Sequence, residues 1–466
     1  MSLPPEQASL WDLTAASGPL DRRFLLDEAV RVPLAALADG TTLAGQREAL
    51  RGACVVLRLE TQLATALALL ELDGVARRIV LCTPDLSPAH LRHAIGVTAA
   101  TAVVSGQPMP EVADLGVSVI VGSGAAVIPE TTPRAAGVAT EWALFTSGTT
   151  GPPKLALHDL KTLAGAIVGS AKPAGDAVWS TYYDIRRYGG LQILLRALIG
   201  GGSMVLSGAH EEVSAFLARA GTAGVTFISG TPTHWRRATL SPATAAIAPP
   251  NVRLSGEVAD QAILDKLRAT YPGARICHAF ASTEAGVAFE VDDGLAGFPA
   301  SWIGQARGGV ELRVEDDTLR IRSPRTASRY LGDETGPLIA ADGFVDTKDL
   351  VELRGDRYHF AGRRDGVINV GGLKVHPEEV EAIVNRHPRV KMSLVKAKRS
   401  PIIGAIVVAD VVLAANEESG EGGKRLEAEI IAACRDALPW YKVPASVKVV
   451  SSLAVSAAGK LIRARG

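Results

Sequence analysis

Hydrophobic and polar positions follow two different rhythms along this chain. From Ala53 onward, short and nearly continuous apolar runs are separated by longer amphipathic ones. Ala53 to Leu59, Arg78 to Cys82, Thr101 to Val104 and Val117 to Val121 read as strands. Thr61 to Leu72 and Ser87 to Ile95 read as helices, with Ser87 in the N-cap position. Strands without a polar face, alternating with helices, predict a parallel sheet covered on both sides and joined by right-handed crossovers. The rhythm resumes with helix Lys161 to Ser170, helix Leu191 to Ile199 stopped by Gly200-Gly201-Gly202, and strand Met204 to Leu206. Helix Glu211 to Ala220, strand Val225 to Ser229, the loop Gly230 to Thr233 and a further helix complete it. The length of this second series predicts two sheets in one large N-terminal region. Residues 1 to about 50 carry little pattern and read as a partly irregular lead-in.

From Val310 the texture changes. Val310 to Val314, Leu319 to Ile321, Leu350 to Leu353 and Arg357 to Phe360 alternate apolar with charged residues, which predicts a small antiparallel sheet or barrel. Composition breaks at Gly362-Arg363-Arg364-Asp365-Gly366. Beyond it Pro377 to Asn385 and Arg425 to Ala437 read as helices, Met392 to Lys396 and Ile403 to Val412 as strands. The expected fold class is α/β: a large N-terminal domain (1–363) of αβ-layered sheets plus a small barrel, then a small mobile α+β C-terminal domain (364–466).

Composition narrows the function. Lys plus Arg and Asp plus Glu both number 49, so neither nucleic acid nor an anionic membrane is an expected partner. Cys54, Cys82, Cys277 and Cys434 are far apart and lack metal-ligand spacing, which fits buried thiols in a reducing compartment. The apolar stretch Leu63 to Leu72 is bounded by Glu60 and Glu71, too short to span a bilayer. Met1 to Glu6 has no basic, apolar leader, and a soluble cytoplasmic protein is expected.

The chemistry concentrates first at Leu144-Phe145-Thr146-Ser147-Gly148-Thr149-Thr150-Gly151-Pro152-Pro153-Lys154. A strand-like lead-in, Trp142 to Phe145, runs into hydroxyl residues and glycines, then a lysine. Hydroxyls, close-approaching backbone N–H groups at Gly148 and Gly151, and the Lys154 ammonium suit a polyphosphate. A polar surface turn is the alternative from composition. The order differs from Gly-x-x-x-x-Gly-Lys-Ser/Thr, since Pro152-Pro153 obstructs a helix start and no Ser or Thr follows Lys154.

The string Thr-Ser-Gly-Thr-Thr-Gly-x-Pro-Lys resembles the phosphate loop of the adenylate-forming superfamily, which includes acyl-CoA synthetases, aryl-acid and amino-acid adenylation domains, and firefly luciferases. Six further elements carry the resemblance to the end of the chain. Phe280-Ala281-Ser282-Thr283-Glu284 resembles a Tyr-Gly-x-Thr-Glu element; the match implies adenine stacking by Phe280, an α-phosphate contact from Thr283 and Mg²⁺ coordination by Glu284. Read without the family, Ser-Thr-Glu is a helix cap. Leu254-Ser255-Gly256-Glu257 looks like the strand end lining an adenine pocket. Thr347-Lys348-Asp349 resembles a Thr-Gly-Asp element whose aspartate, here Asp349, binds the ribose hydroxyls; Lys348 stands where the family carries glycine. Gly362 to Asn369 resembles the hinge motif, implying a ribose contact from Arg363 and a hinge at Asp365. Gly371-Gly372 fits the loop that enters the site for a thioester step, and Ser456 to Arg463 resembles the terminal element whose lysine, here Lys460, is catalytic.

The resemblance implies ATP-dependent activation of a carboxylic acid to acyl-AMP, then transfer to a thiol, with ATP, Mg²⁺ and CoA as the small-molecule set. A carrier-protein thiol or an amine is the alternative acceptor, and a non-catalytic binding paralogue is a reading from another class; a monomer or homodimer is compatible with all three. For the acid, the segment Thr181 to Gly190 is similar to the family's acyl tunnel. It implies Tyr183, Asp184, Arg186 and Gly189 as lining residues, with Arg186 either receiving a polar acyl group or pairing with Asp184. His234 faces the pocket or packs in the core.

Overall fold

The apolar series in the first third forms a seven-stranded sheet. Its spatial order is Arg329–Leu331, Leu155–Asp159, Glu141–Phe145, Arg78–Leu81, Cys54–Arg58, Ala102–Ser105, Val119–Gly122. The strands from Glu141–Phe145 outward are parallel, and the first two in the order are antiparallel additions. The computed structural model describes residues 8–112, 114–132, 134, 137–146, 154–167, 177–332, 336–370, 373–400, 404–413, 421–455 and 461.

The second series forms an eight-stranded sheet: Gly286–Val291, Arg275–Ser282, Asn251–Ser255, Phe227–Gly230, Val178–Thr181, Ser203–Leu206, Phe24–Leu26, Arg31–Pro33. Its edges are antiparallel and its centre parallel. The helix Gln62–Leu72 is buried at every position, including Gln62 and Glu71, because it is sandwiched in the core shared by both sheets. Glu71 is tolerated there since Thr41 and Thr42 hydroxyls donate to it at 2.6 and 2.8 Å, beside the Arg47 guanidinium. Gln62 ties the sheets across this layer, donating to the Ser207 carbonyl at 2.6 Å and accepting from the Ile185 N–H at 2.8 Å.

The lead-in is more ordered than its sequence predicts. Leu10–Ala16 is a helix with a Ser9–Asp12 capping box, and Phe24–Leu26 joins the large sheet opposite Met204 and Val205. Three residues are too few to show a period, and what holds this strand is Arg23, whose guanidinium donates to the carbonyls of Thr14, Leu198 and Gly202. The helix expected from Lys161 is observed over Leu160–Ala164; residues 168–170 lie outside those described.

Strands between Phe298 and Arg363, apart from Arg329–Leu331, form the expected small antiparallel sheet; it has six strands and is cored by Phe298, Leu312, Ile321, Val345 and Val351. Beyond it, Val390–Ser400, Gly404–Leu413 and Val447–Val449 form a three-stranded sheet covered by helices Pro377–Val384 and Glu421–Ala437, with its own core of Val395, Val411, Leu426 and Ile430. The architecture is therefore α/β with a large N-terminal domain and a small C-terminal one. All four cysteines are buried and free. Among the described residues no helix is long and apolar enough to cross a membrane.

Candidate functional site

The phosphate-loop candidate is a connection between two antiparallel strands. Phe145 pairs with Leu155, and the Thr146 N–H donates to the Lys154 carbonyl at 2.9 Å, so the two ends of the segment are pinned side by side. Thr146 is buried. Ser147, Gly148, Thr149, Thr150 and Gly151 lie outside the described residues. The Lys154 ammonium sits 5.1 Å from the centre of the Tyr330 ring, on the neighbouring edge strand. The Tyr330 hydroxyl in turn donates to Glu284 Oε1 at 3.1 Å. One phenol thus stands between the lysine that closes the loop and the carboxylate expected to hold a metal.

Thr283 and Glu284 occupy the turn between Arg275–Ser282 and Gly286–Val291. No helix follows, so the capping alternative for Ser-Thr-Glu is overturned: the Ser282 hydroxyl accepts the Ala285 N–H at 3.0 Å, a turn contact between strands. Gly286 has φ +77° and a side chain there would collide with the Arg325 backbone, so only glycine reverses the chain at this point. The Thr283 carbonyl is 2.7 Å from His158 Nε2. Burial lowers the His158 pKa, and the neutral ring places its N–H on that carbonyl, leaving Nδ1 to the Thr162 hydroxyl. Ala281 lies on the same strand. Phe280, expected beneath adenine, is partly buried and packs against the core of the six-stranded unit, stacking on Phe360 at 5.2 Å and Phe289 at 5.7 Å.

Ser255 ends its strand and Gly256 turns with φ +85°. Glu257 then uses both oxygens. Oε2 accepts the Thr233 N–H at 2.9 Å, and Oε1 accepts the N–H of Leu461 at 3.4 Å. Leu461 also bridges Val455. Lys460 lies outside the described residues, but the residue that follows it is held against Glu257.

Asp349 and Arg363 face each other on adjacent strands with Nε 4.0 Å from Oδ1. Lys348 has φ +60°, the left-handed conformation that favours the glycine of the family pattern. Asp365 lies in the short turn Arg364–Gly366; Gly371 and Gly372 lie outside the described residues.

The acyl-tunnel candidates divide. The Tyr183 hydroxyl donates to the Ser255 carbonyl at 2.8 Å, joining the segment to the adenine-pocket strand. Gly189 is in the first turn of helix Tyr188–Ile199, against the Tyr183 ring. Arg186 is buried and gripped by Asp184 through two bonds of 2.7 Å, with a further 2.7 Å bond to the Leu59 carbonyl. Of the two roles the sequence left open, Arg186 takes the pairing with Asp184. His234 is the third residue of helix Pro232–Ala238, where its Nδ1 accepts the Thr231 N–H at 3.1 Å while its ring stacks on Tyr182. Burial, then the Arg237 charge, pushes its pKa down to about 3, so it is neutral.

Sequence reading missed Tyr330, His158, Arg196, Arg253 and Glu290. Arg196, Arg253 and Glu290 form a half-enclosed cluster, both guanidiniums meeting one Glu290 oxygen. The one signal among them was a charged residue inside an otherwise apolar helix (Arg196); Arg253 alternates with the core residues Val252 and Leu254, as a solvated strand position would. Tyr330 and His158 have no such signal, since both reach the site across strand pairings. Among the described residues no three His, Cys, Asp or Glu side chains gather to hold a metal. A hard cation here would take Glu284 and complete its shell from phosphate oxygens and water, a donor set that suits Mg²⁺.

A family model described as "AMP-binding enzyme" matches residues 36–330, and one described as "AMP-binding enzyme C-terminal domain" matches 379–460. Among curated relatives, a fatty acid–[acyl-carrier-protein] ligase of Mycobacterium marinum is 26% identical over 69% of this chain and 66% of its own length. A 2-succinylbenzoate–CoA ligase of Salmonella typhimurium is 28% identical over 65% of this chain and 65% of its own. The chain thus spans just under two thirds of these relatives. The crystal structure of an anthranilate CoA ligase with anthranoyl-AMP superposes with a TM-score of 0.81, covering 98% of this chain and 96% of that one at 18% identity, which speaks for the fold.

Proposed function

Because the chain belongs to the AMP-binding enzyme family, we propose that it joins a carboxylic acid to AMP at the expense of ATP and passes the acyl group to a thiol, with CoA as the acceptor. The observation that supports this reading is direct contact between segments far apart in sequence: one run of contacts joins Thr146, Lys154, Tyr330, Glu284, Thr283 and His158, and a separate one joins Glu257 to Leu461. Thr146 binds Lys154, Lys154 lies over Tyr330, Tyr330 binds Glu284, His158 binds Thr283, and Glu257 binds Leu461.

In the first half-reaction the acid's carboxylate oxygen attacks the α-phosphorus of ATP and pyrophosphate leaves. The residues' work is positioning and charge stabilisation. Residues 146–151 with Lys154 would hold the β- and γ-phosphates. Thr283 would contact the α-phosphate. Asp349 and Arg363 would hold the ribose, and Ser255 to Glu257 with Phe280 and Ala281 the adenine. Mg²⁺ on Glu284, when bound, offsets phosphate charge. Lys460 would bridge the α-phosphate and the acyl carboxylate. Acyl-AMP is hydrolysed readily, which favours a closed site; in the second half-reaction a thiol attacks the acyl carbonyl and AMP leaves. We place the domain boundary at 363/364, the pivot at Asp365, and Gly371-Gly372 in the thiol step. A carrier-protein thiol is the second acceptor, since the relatives named above include both kinds of ligase. A cytoplasmic location goes with this chemistry.

The test is ATP–pyrophosphate exchange across fatty, aryl, dicarboxylic and amino acids, with wild type and Lys460→Ala. Exchange with one class, lowered by about 10²-fold or more in Lys460→Ala, supports the assignment. Exchange with none, while ATP still binds, overturns it. AMP release with CoA present but no acyl-CoA formed would move the acceptor to a carrier protein or amine.

A further inference from the structure

Three charged side chains meet between helix Tyr188–Ile199 and the strands Asn251–Ser255 and Gly286–Val291. Arg253 shares a strand face with Ser255, two positions earlier, while Val252 and Leu254 fill the core on the opposite side. Glu290 pairs with Ala279 two strands across, and Arg196 reaches the same spot from the helix. Arg196 Nη2 lies 3.1 Å from Glu290 Oε1, and Arg253 Nη1 donates to that same oxygen. Two guanidiniums therefore share one carboxylate, and the group carries a formal charge of +1.

Nothing described here cancels that charge. Among the described residues, neither arginine forms an ion pair with a second carboxylate. Guanidinium stays protonated at any ordinary pH. The nearby phenols are used on backbone, Tyr183 on the Ser255 carbonyl and Tyr188 on Val287. Arg196 Nε is buried without a hydrogen-bond partner. Both arginine side chains are only 13% exposed, enclosed but not sealed; Glu290, 29% exposed, also borders a cavity of about 210 Å³ that it lines with Phe289, Trp302, Gln305 and Arg307 and that neither Arg196 nor Arg253 lines. An enclosed cation with an unsatisfied donor is costly unless an anion completes it.

We propose that Arg196 and Arg253 receive a second carboxylate, at the far end of the acid that the enzyme activates. The preferred substrate is then a dicarboxylic acid rather than an acid with a plain hydrocarbon tail. The proposal rests on the acid-activating reading above. Glu290 anchors the two arginines without neutralising them both. Arg186, the cation that the sequence offered for this task, is committed to Asp184.

The experiment is pyrophosphate exchange with acids paired by length: succinic with butanoic, glutaric with pentanoic, adipic with hexanoic, phthalic with benzoic. In at least one pair the diacid should have the higher kcat/KM by about 10²-fold, the effect of pairing an enclosed charge. Arg196→Gln should erase most of that preference with the KM for ATP unchanged, and Arg196→Lys should retain part of it. If Arg196→Gln does not fold, Arg196→Lys and the wild-type ratio decide. Monoacids equal to or better than diacids in every pair, or a preference untouched in Arg196→Gln, would overturn the diacid inference and leave acid activation standing. Absence of exchange with every acid would overturn both.

Discussion

Asp349 and Arg363 stand directly opposite each other on adjacent antiparallel strands, the guanidinium 4.0 Å from the carboxylate. This is a loose pair, and Arg363 is half exposed. A pair built for stability would be closer, and exposed pairs contribute little in any case. Its geometry suits two groups that share a ligand. Asp349→Ala is expected to lower kcat/KM for ATP by about 10²-fold, with Arg363→Ala costing less and the double variant less than the sum. Steady-state exchange kinetics on the three proteins check this; strictly additive effects would argue that the two residues do not meet on one ligand.

Lys348 bears a left-handed backbone at φ +60°. For a residue with a Cβ this costs about 1 kcal/mol, partly offset by the flexibility glycine would add to the unfolded chain. Lys348→Gly should leave stability unchanged or raise it by up to about 1 kcal/mol, read from urea midpoints. A clear loss of stability would show that the lysine side chain makes a compensating contact.

Tyr330 orients Glu284 through a 3.1 Å hydrogen bond while carrying Lys154 on its ring. Tyr330→Phe keeps the ring and removes the bond. The Mg²⁺ concentration for half-maximal exchange should rise roughly 10-fold, as for other partners of metal ligands, with little change in thermal stability. An unchanged Mg²⁺ dependence would sink the orienting role.

His234 gives the fold an acid-sensitive element. Unfolded, it binds a proton near pH 6.5; folded, burial holds it neutral down to about 3. Its contribution is intact above pH 6.5 and is lost progressively as pH falls from 6.5 toward 3. Asp73 has the opposite slope. Burial raises its pKa to about 6 against the N–H groups of Leu10 and Trp142, so its contribution is complete below 3.8 and fades as pH rises through 6. Only the difference between proteins therefore reports His234. Wild type should lose roughly 2 kcal/mol more than His234→Gln between pH 6.5 and 4.5, measured by urea unfolding; parallel pH profiles would refute it.

Much of the fold was legible because its signals are local. Thr61 and Ser87 cap the helices they precede, and Gly200 ends the helix from Tyr188. Phe24–Leu26 and Leu155–Asp159 were not legible, since each is a short strand stabilised by partners far along the chain. The same division holds at the site. Motif residues such as Glu284 and Asp349 announce themselves by order. Tyr330 and His158 act through cross-strand contacts, and the fate of Arg186 depended on whether Asp184 could reach its guanidinium from two residues away. Lys348 lies between these cases: a departure from a family pattern, legible as a substitution, whose meaning is a single dihedral angle.

The bond from Leu461 to Glu257 is made by the main chain, not by the leucine side chain. Such a grip is indifferent to residue type and strict about position. Exchanging Leu461 for another non-proline residue should pass unnoticed by Glu257, whereas adding or removing one residue between Val455 and Leu461 would offer it the wrong amide. The tail is thereby measured by length, which leaves its composition open to change while the count of residues to the lysine is kept.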